Sequence, residues 1–316
     1  MLSRVADSLY WMSRYLERAE HTTRVIGVQL NLMLEQEPSS SDRRWLRVLG
    51  SLGHSGPVPE EKNKDRDPFT LAQAHALRQI TGSIASAREN ARQVREQISS
   101  EMWEQLNRLF HEVKRMESAG LWKSQPLDFL AVILESSHLV QGVTDSTMNH
   151  GEGWQFIQVG RFIERAAAIA LLLDLYFQEF PASQAMDSSE HMEWIGLLRS
   201  CTAFEAYCKV YTADLRPDRV AEFLLLNNEF PHSVRFAADH LQRSLEAINQ
   251  AAASKRSPRV GKIAGRLSAG LMFTPLEEVV AKLAEFFADI QQQCERIHTA
   301  IYEVYITYPI EAAIEA

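Results

Sequence analysis

Two clusters in this sequence have the residue types and spacing to do chemistry: Arg14, Glu17 and Arg18 within RYLERAE, and Arg161, Glu164 and Arg165 within RFIERAA. On a helix, side chains three and four apart share a face, so each carboxylate would sit beside two guanidinium groups, leaving excess positive charge. Three chemistries suit that arrangement. Each Glu could bridge its own helical arginines and a partner on another helix, locking how the elements dock, because burying such charges is costly unless they are paired. The four arginines, joined by Arg92, Arg95 and Arg235, could instead line a cleft and bind a carboxylate or phosphate, whose oxygens match the donor fork of a guanidinium. Glu17 or Glu164 could also serve as a general acid or base, which needs a raised pKa that neighbouring arginines oppose.

A di-metal centre is a further reading, since carboxylate-bridged bundles take a Glu from each of two helices and Glu-x-x-His from each of two others. Glu17, Glu135 with His138, Glu164, and Glu295 with His298 occur in that order. Arginine beside each lone Glu would repel a cation, so no metal site and no cofactor are expected. The sequence has no GxSxG, HExxH, Walker A or Gly-rich nucleotide loop. Lys255, Arg256, Arg259, Lys262 and Arg266 form one basic stretch, read as a solvated helix face or a dock for an acidic partner, and Gly261 and Gly265 inside it have the spacing of a close helix contact. Cys201 and Cys208, seven apart on one expected helix, read as small core residues, and the odd total with Cys294 fits reduced thiols. A net charge of −8 disfavours a nucleic-acid or anionic-membrane surface. The N-terminal stretch is studded with charges, unlike a signal peptide, and no apolar run approaches the roughly 18–20 residues of a bilayer span, so a cytoplasmic protein is expected.

Those residues need long helices to position them. Leu2, Val5, Leu9, Met12, Leu16, Ala19, Thr23, Ile26, Leu30 and Met33 recur three and four apart, predicting a helix over 3–36 that stops before Pro38. Tyr10, Tyr15, Val25, Val28 and Leu32 form a second strip, which places this helix inside a bundle. A short helix is expected around Trp45 to Leu49, then an unpacked mobile loop, GHSGPVPEEKNKDRD. Asp67-Pro68 opens a segment through Gln79, Thr81-Gly82 leads into another through Ile98, Ser99 or Ser100 caps the next, and Pro126 starts a fourth. Gly153-Trp154 begins a second long helix that runs to Pro181, followed by helices near 189–213, 218–226, 232–253, 258–270 and 275–308. Strand-like alternation is lacking, so the chain is all-α.

RYLERAE and RFIERAA lie 147 residues apart, and that offset also superposes the flanking seam residues. WLRVLGS at Trp45 reads against WIGLLRS at Trp194, an offset of 149, and Gln93-Val-Arg95 reads against Ser233-Val-Arg235, an offset of 140. Three matches in one order predict a duplicated helical bundle: residues 1–150 and 151–316 as pseudo-equivalent halves, packed into one compact unit about an approximate two-fold.

The stretches MLSRVADSLYWMSRYLERAEHTTRVI, ENARQVREQISSEMWEQLN, GEGWQFIQVGRFIERA and NNEFPHSVRF together resemble the bacterial alpha-E domain family, all-helical proteins with a Glu-Arg motif and no assigned activity. Gly151 stands where that family would place an acidic residue. The resemblance covers essentially the whole chain. It implies company with circularly permuted ATP-grasp proteins and transglutaminase-like proteins, in a setting that makes or modifies peptide-type amide bonds. The expected role is an accessory or scaffold protein beside the ATP-grasp amide ligase, binding an anionic group through the arginine clusters. The alternatives are an enzyme of the same pathway that uses the Glu-Arg cluster and a di-metal carboxylate protein.

Overall fold

In the computed structural model the described residues are 1–35, 41–53, 67–180, 188–212, 214–251 and 258–307, and none of them forms a strand. Fourteen α-helices follow one another among them: α1 Ser3–Glu35, α2 Ser41–Ser51, α3 Pro68–Gln93, α4 Ser100–Ser118, α5 Leu121–Ser124, α6 Pro126–Thr147, α7 Glu152–Glu179, α8 Ser188–Ser200, α9 Phe204–Tyr211, α10 Pro217–Leu226, α11 Val234–Ala251, α12 Arg259–Phe273, α13 Leu276–Ala281 and α14 Leu283–Ile301. The protein is all-α. Residues 54–66 of the loop expected over 53–67, and Lys255 and Arg256 of the basic stretch, lie outside the described residues.

The helix starts follow local chemistry. Asp67 caps α3 by accepting from the Thr70 amide at 2.9 Å, and Ser99 caps α4 by accepting from the Met102 amide at 3.1 Å. Pro68, Pro126 and Pro217 occupy first-turn positions, where no amide hydrogen is needed. Ser233 accepts from the Phe236 amide at 3.0 Å at the head of α11.

The two longest helices form the axis. α1 packs against α3, α6 and α7, and α7 packs against α1, α11 and α14, while α4 covers α6, and α12 covers α11 and α14. Val5, Leu9, Met12, Ala19, Ile26 and Leu30 of the α1 seam are buried, as are Tyr10, Val25 and Leu32 of its second strip. On α7, Phe156, Val159, Ile163, Ala166, Ala170 and Leu173 are buried, so both helices are enclosed on more than one side. A single hydrophobic cluster runs through all these elements.

The α1–α7 crossing is tight because of Gly160, where an added Cβ would lie 2.3 Å from the Tyr10 carbonyl oxygen and 3.1 Å from Ser13 Cβ. Ser13 Oγ donates to the Ile157 carbonyl at 2.6 Å. The 147-residue offset relates Tyr10 to Ile157 and Ser13 to Gly160, so it exchanges the Gly160–Tyr10 approach for the Ser13–Ile157 bond, and Ser13 and Gly160 meet as counterparts. By contrast, a Cβ on Gly261 would meet open space and one on Gly265 would make ordinary contact with Gln242, so this pair is not the close helix contact that its spacing suggested.

Four element expectations are corrected. Thr81-Gly82 does not divide α3: the Thr81 hydroxyl donates to the Leu77 carbonyl at 2.9 Å and the helix continues. The helix expected over 189–213 is broken at Thr202, in the left-handed region at φ 52°, so Cys201 follows α8 while Cys208 lies on α9. Lys282, at φ −139° and ψ 39°, separates α13 from α14, and the last turn, Tyr302–Ile306, widens into π-helix. Gln93-Val-Arg95 ends α3, whereas Ser233-Val-Arg235 begins α11, so the 140-residue offset equates a helix end with a helix start.

Candidate functional site at the crossing of the two long helices

One turn beyond Gly160 the two clusters meet, and the arginines are exchanged between helices. Arg14 Nε donates to Glu164 Oε2 at 2.7 Å, and Arg18 grips the same carboxylate through Nε to Oε1 at 2.6 Å and Nη2 to Oε2 at 3.1 Å. In return Arg165 donates through Nε and Nη2 to the two oxygens of Glu17, at 2.6 and 2.9 Å. Same-helix bridging, expected from the three and four residue spacing, is not what forms: a carboxylate between helices lets both charges leave water already paired.

The two pairs differ in their surroundings. Glu17 and Arg165 are buried, and the remaining Arg165 nitrogen, Nη1, donates to the Pro231 carbonyl at 3.0 Å. Burial pushes the Glu17 carboxyl pKa up, with Arg165 pulling against it. Burial also acts to raise that of Glu164, but Arg14 and Arg18 outweigh it and hold the carboxyl below its ordinary range. Arg14 has further partners. Its Nη1 reaches the Tyr10 hydroxyl and His298 Nδ1, both at 3.2 Å, and its guanidinium lies 4.7 Å from the Trp11 ring centre. Arg161, the counterpart of Arg14, makes no ion pair among the described residues; it donates to Gln158 on its own helix at 3.4 Å.

The Arg14, Arg18 and Glu164 group forms one wall of a cavity of about 420 Å³. His21, Thr22, Ser51, Gln79 and Gln291 add polar groups, and Leu52, Ala167, Ala168 and Leu171 add apolar surface. Arg18 remains 32% exposed, so the cavity opens to solvent on its side. Thr22 donates to Gln79, which donates in turn to the Leu52 carbonyl, so those three are satisfied among themselves. His21 is not. Its Nε2 is buried without a hydrogen-bond partner among the described residues, and burial, aided by Arg24, lowers its pKa to about 4, keeping the ring neutral at neutral pH.

The other sequence candidates lie apart from this wall. Arg92 is exposed and paired with Glu89, and Arg95 is exposed and stacks over Trp103. Arg235 donates to the Leu226 carbonyl at 3.3 Å. Of the Glu-x-x-His residues, His138 approaches Glu20 at 3.6 Å, His298 bonds Tyr10 at 2.8 Å and Arg14, Glu135 is exposed on α6, and Glu295 lies on the α12–α14 surface. They do not gather around Glu17 and Glu164. Among the described residues no three His, Cys, Asp or Glu side chains are placed to hold a metal ion.

Sequence reasoning missed two charged networks. Arg44 on α2 grips Glu193 on α8 at 2.6 and 2.8 Å, and Arg47 bonds both Glu193 and Glu179 while lying over the Tyr176 ring. The signal was present: Arg44 and Glu193 immediately precede Trp45 and Trp194, so the 149-residue offset that aligns the tryptophans aligns this oppositely charged pair. Glu20 is held by Arg24 on its own helix and by Gln141 on α6 at 2.6 Å. It lies within RYLERAE itself, but at 167 its counterpart is Ala, which hid it from a comparison of the two stretches.

Comparison with known proteins agrees with the helical architecture. An uncharacterized protein of Mycobacterium bovis and two of Mycobacterium tuberculosis are each 24% identical to the chain over 340 residues, covering 97% of it. The chain spans 37% of the length of these relatives. No solved structure matches significantly. Residues 1–306 match Alpha-E, described as a predicted alpha-helical domain with a conserved ER motif, and the chain belongs to that family.

Proposed function

We propose that this chain is a non-catalytic scaffold that works beside an ATP-grasp amide ligase and holds an anionic group of the ligase's substrate in the cavity at the α1–α7 crossing. The observation that carries the binding half is the pair of guanidinium groups, Arg14 and Arg18, presented on one cavity wall with a single counter-carboxylate, Glu164. One positive charge is left over, and the arginines are already ordered, so a ligand meets a preorganised donor set. The non-catalytic half rests on Glu17 and Glu164, whose oxygens are all occupied by arginine donors, and on the depressed pKa of Glu164, which suits neither a general acid nor a base working near neutrality. The ligase as partner rests on family resemblance alone. A cytoplasmic location is part of the proposal; the three free cysteines fit a reducing compartment.

The test is co-purification of the tagged chain with a circularly permuted ATP-grasp protein of the same organism, followed by assay of the ligase product. Arg18→Ala should retain the partner and lower product formation. Product formation by the chain alone, or full ligase activity in its absence, would overturn the proposal.

A further inference from the structure

The donors facing the cavity are few and countable. Arg14 uses Nε on Glu164 and Nη1 on Tyr10 and His298, so its Nη2 has no hydrogen bond among the described residues. Arg18 uses Nε and Nη2 on Glu164, which leaves Nη1 open. The third polar atom without a hydrogen bond among the described residues is His21 Nε2, buried on a residue that lines the same cavity. Two guanidinium groups against one carboxylate, with a neutral imidazole, leave one net positive charge. A monoanion neutralises it; a dianion would put surplus negative charge beside the buried Glu164 carboxylate.

The other side of the crossing offers no equivalent. Every Arg165 nitrogen is engaged, by Glu17 or the Pro231 carbonyl. The counterparts of Glu20, His21 and Arg24 on α7 are Ala167, Ala168 and Leu171. The space beside Arg161 is only about 20 Å³, enough for a water molecule and not for an organic ligand.

Resting on the reading that this cavity binds an anion, we infer that its ligand is a monocarboxylate flanked by a neutral hydrogen-bonding group such as an amide, the carboxylate on Arg14 Nη2 and Arg18 Nη1 and the neutral group on His21 Nε2. The apolar strip of Leu52, Ala168 and Leu171 receives the remainder of the molecule.

The test is an NMR titration of the isotope-labelled full chain at neutral pH with three probes: N-acetylglycine, N-acetylglycinamide and inorganic phosphate. N-acetylglycine should shift the Arg14 and Arg18 Nε–H signals and the His21 ring saturably, with the other two binding at least about tenfold more weakly. Ala168→Leu, which fills the cavity and removes no charged group, should abolish the response at nearly unchanged melting temperature. His21→Phe, a second variant, should weaken N-acetylglycine about threefold or more and leave phosphate unaffected. Phosphate binding as tightly as N-acetylglycine would overturn the carboxylate assignment and leave the anion reading standing. Equal binding of N-acetylglycinamide, or an undiminished response in both variants, would overturn the assignment as well. Saturation by none of the probes would remove both readings.

Discussion

Glu164 accepts from two arginines that both belong to α1, while its own helix neighbours turn elsewhere, so removing its charge leaves Arg14 and Arg18 facing each other. Glu164→Gln should therefore cost about 3–5 kcal/mol, the range for breaking a buried pair. Arg18→Ala should cost only about 0–1 kcal/mol, because that side chain is a third exposed and solvent screens it. Urea unfolding of both variants measures the contrast. The pH dependence follows from the same geometry. A carboxyl whose pKa is lowered on folding contributes stability that is fully present above its ordinary value of 4.5 and is lost as pH falls from there through the lowered folded value. Melting temperature should thus drop as pH falls below that point, and Glu164→Gln should flatten the slope. Burial pushes the thiols of Cys201 and Cys294 up to about 12, whereas Cys208 is half-buried on α9. A thiol reagent should label Cys208 first and the other two only on unfolding. The two clusters were legible in the sequence, as residues and as a repeat. The exchange between them was not, since periodicity says which side chains share a face and nothing about which face meets another helix.

α1 and α7 approach as closely as their backbones allow, and two small side chains at exchanged positions, Ser13 and Gly160, permit it. Gly160→Ala should separate the helices and cost about 1–3 kcal/mol, as overpacking does. Gly261→Ala, with open space around its Cβ, should instead stabilise by about 0.5–1 kcal/mol through helix propensity. Thermal melts of the two variants should move in opposite directions. The long helices were readable because ten seam positions keep the period through α1 and because Asp67, Ser99 and the prolines mark helix starts. The breaks at Thr202 and Lys282 were not, since neither position carries the Gly or Pro that marks a helix end in a sequence. Gly82 misled in the other direction: a single Gly costs a helix too little to end one that is packed along its length against α1.

At the scale of the whole molecule, apart from Glu20 and Arg24 within α1, the central ion pairs join elements far apart in the chain: Arg14 and Arg18 with Glu164, Arg165 with Glu17, Arg44 with Glu193 and Arg47 with Glu179. Cut at residue 150, each half would expose an apolar helix face and leave its central carboxylate without its arginines. Neither 1–150 nor 151–316 alone should give a cooperative melt by circular dichroism, and mixing them should restore one. The cavity sits on this same seam, bounded by α1, α3, α7 and α14, so whatever binds there also bears on how the long helices are held. The reciprocal exchange of arginines also sets the terms of inheritance for this chain. The partners of Glu164 lie on α1 and that of Glu17 on α7, so loss of either carboxylate should be suppressed by a matched change on the opposite helix.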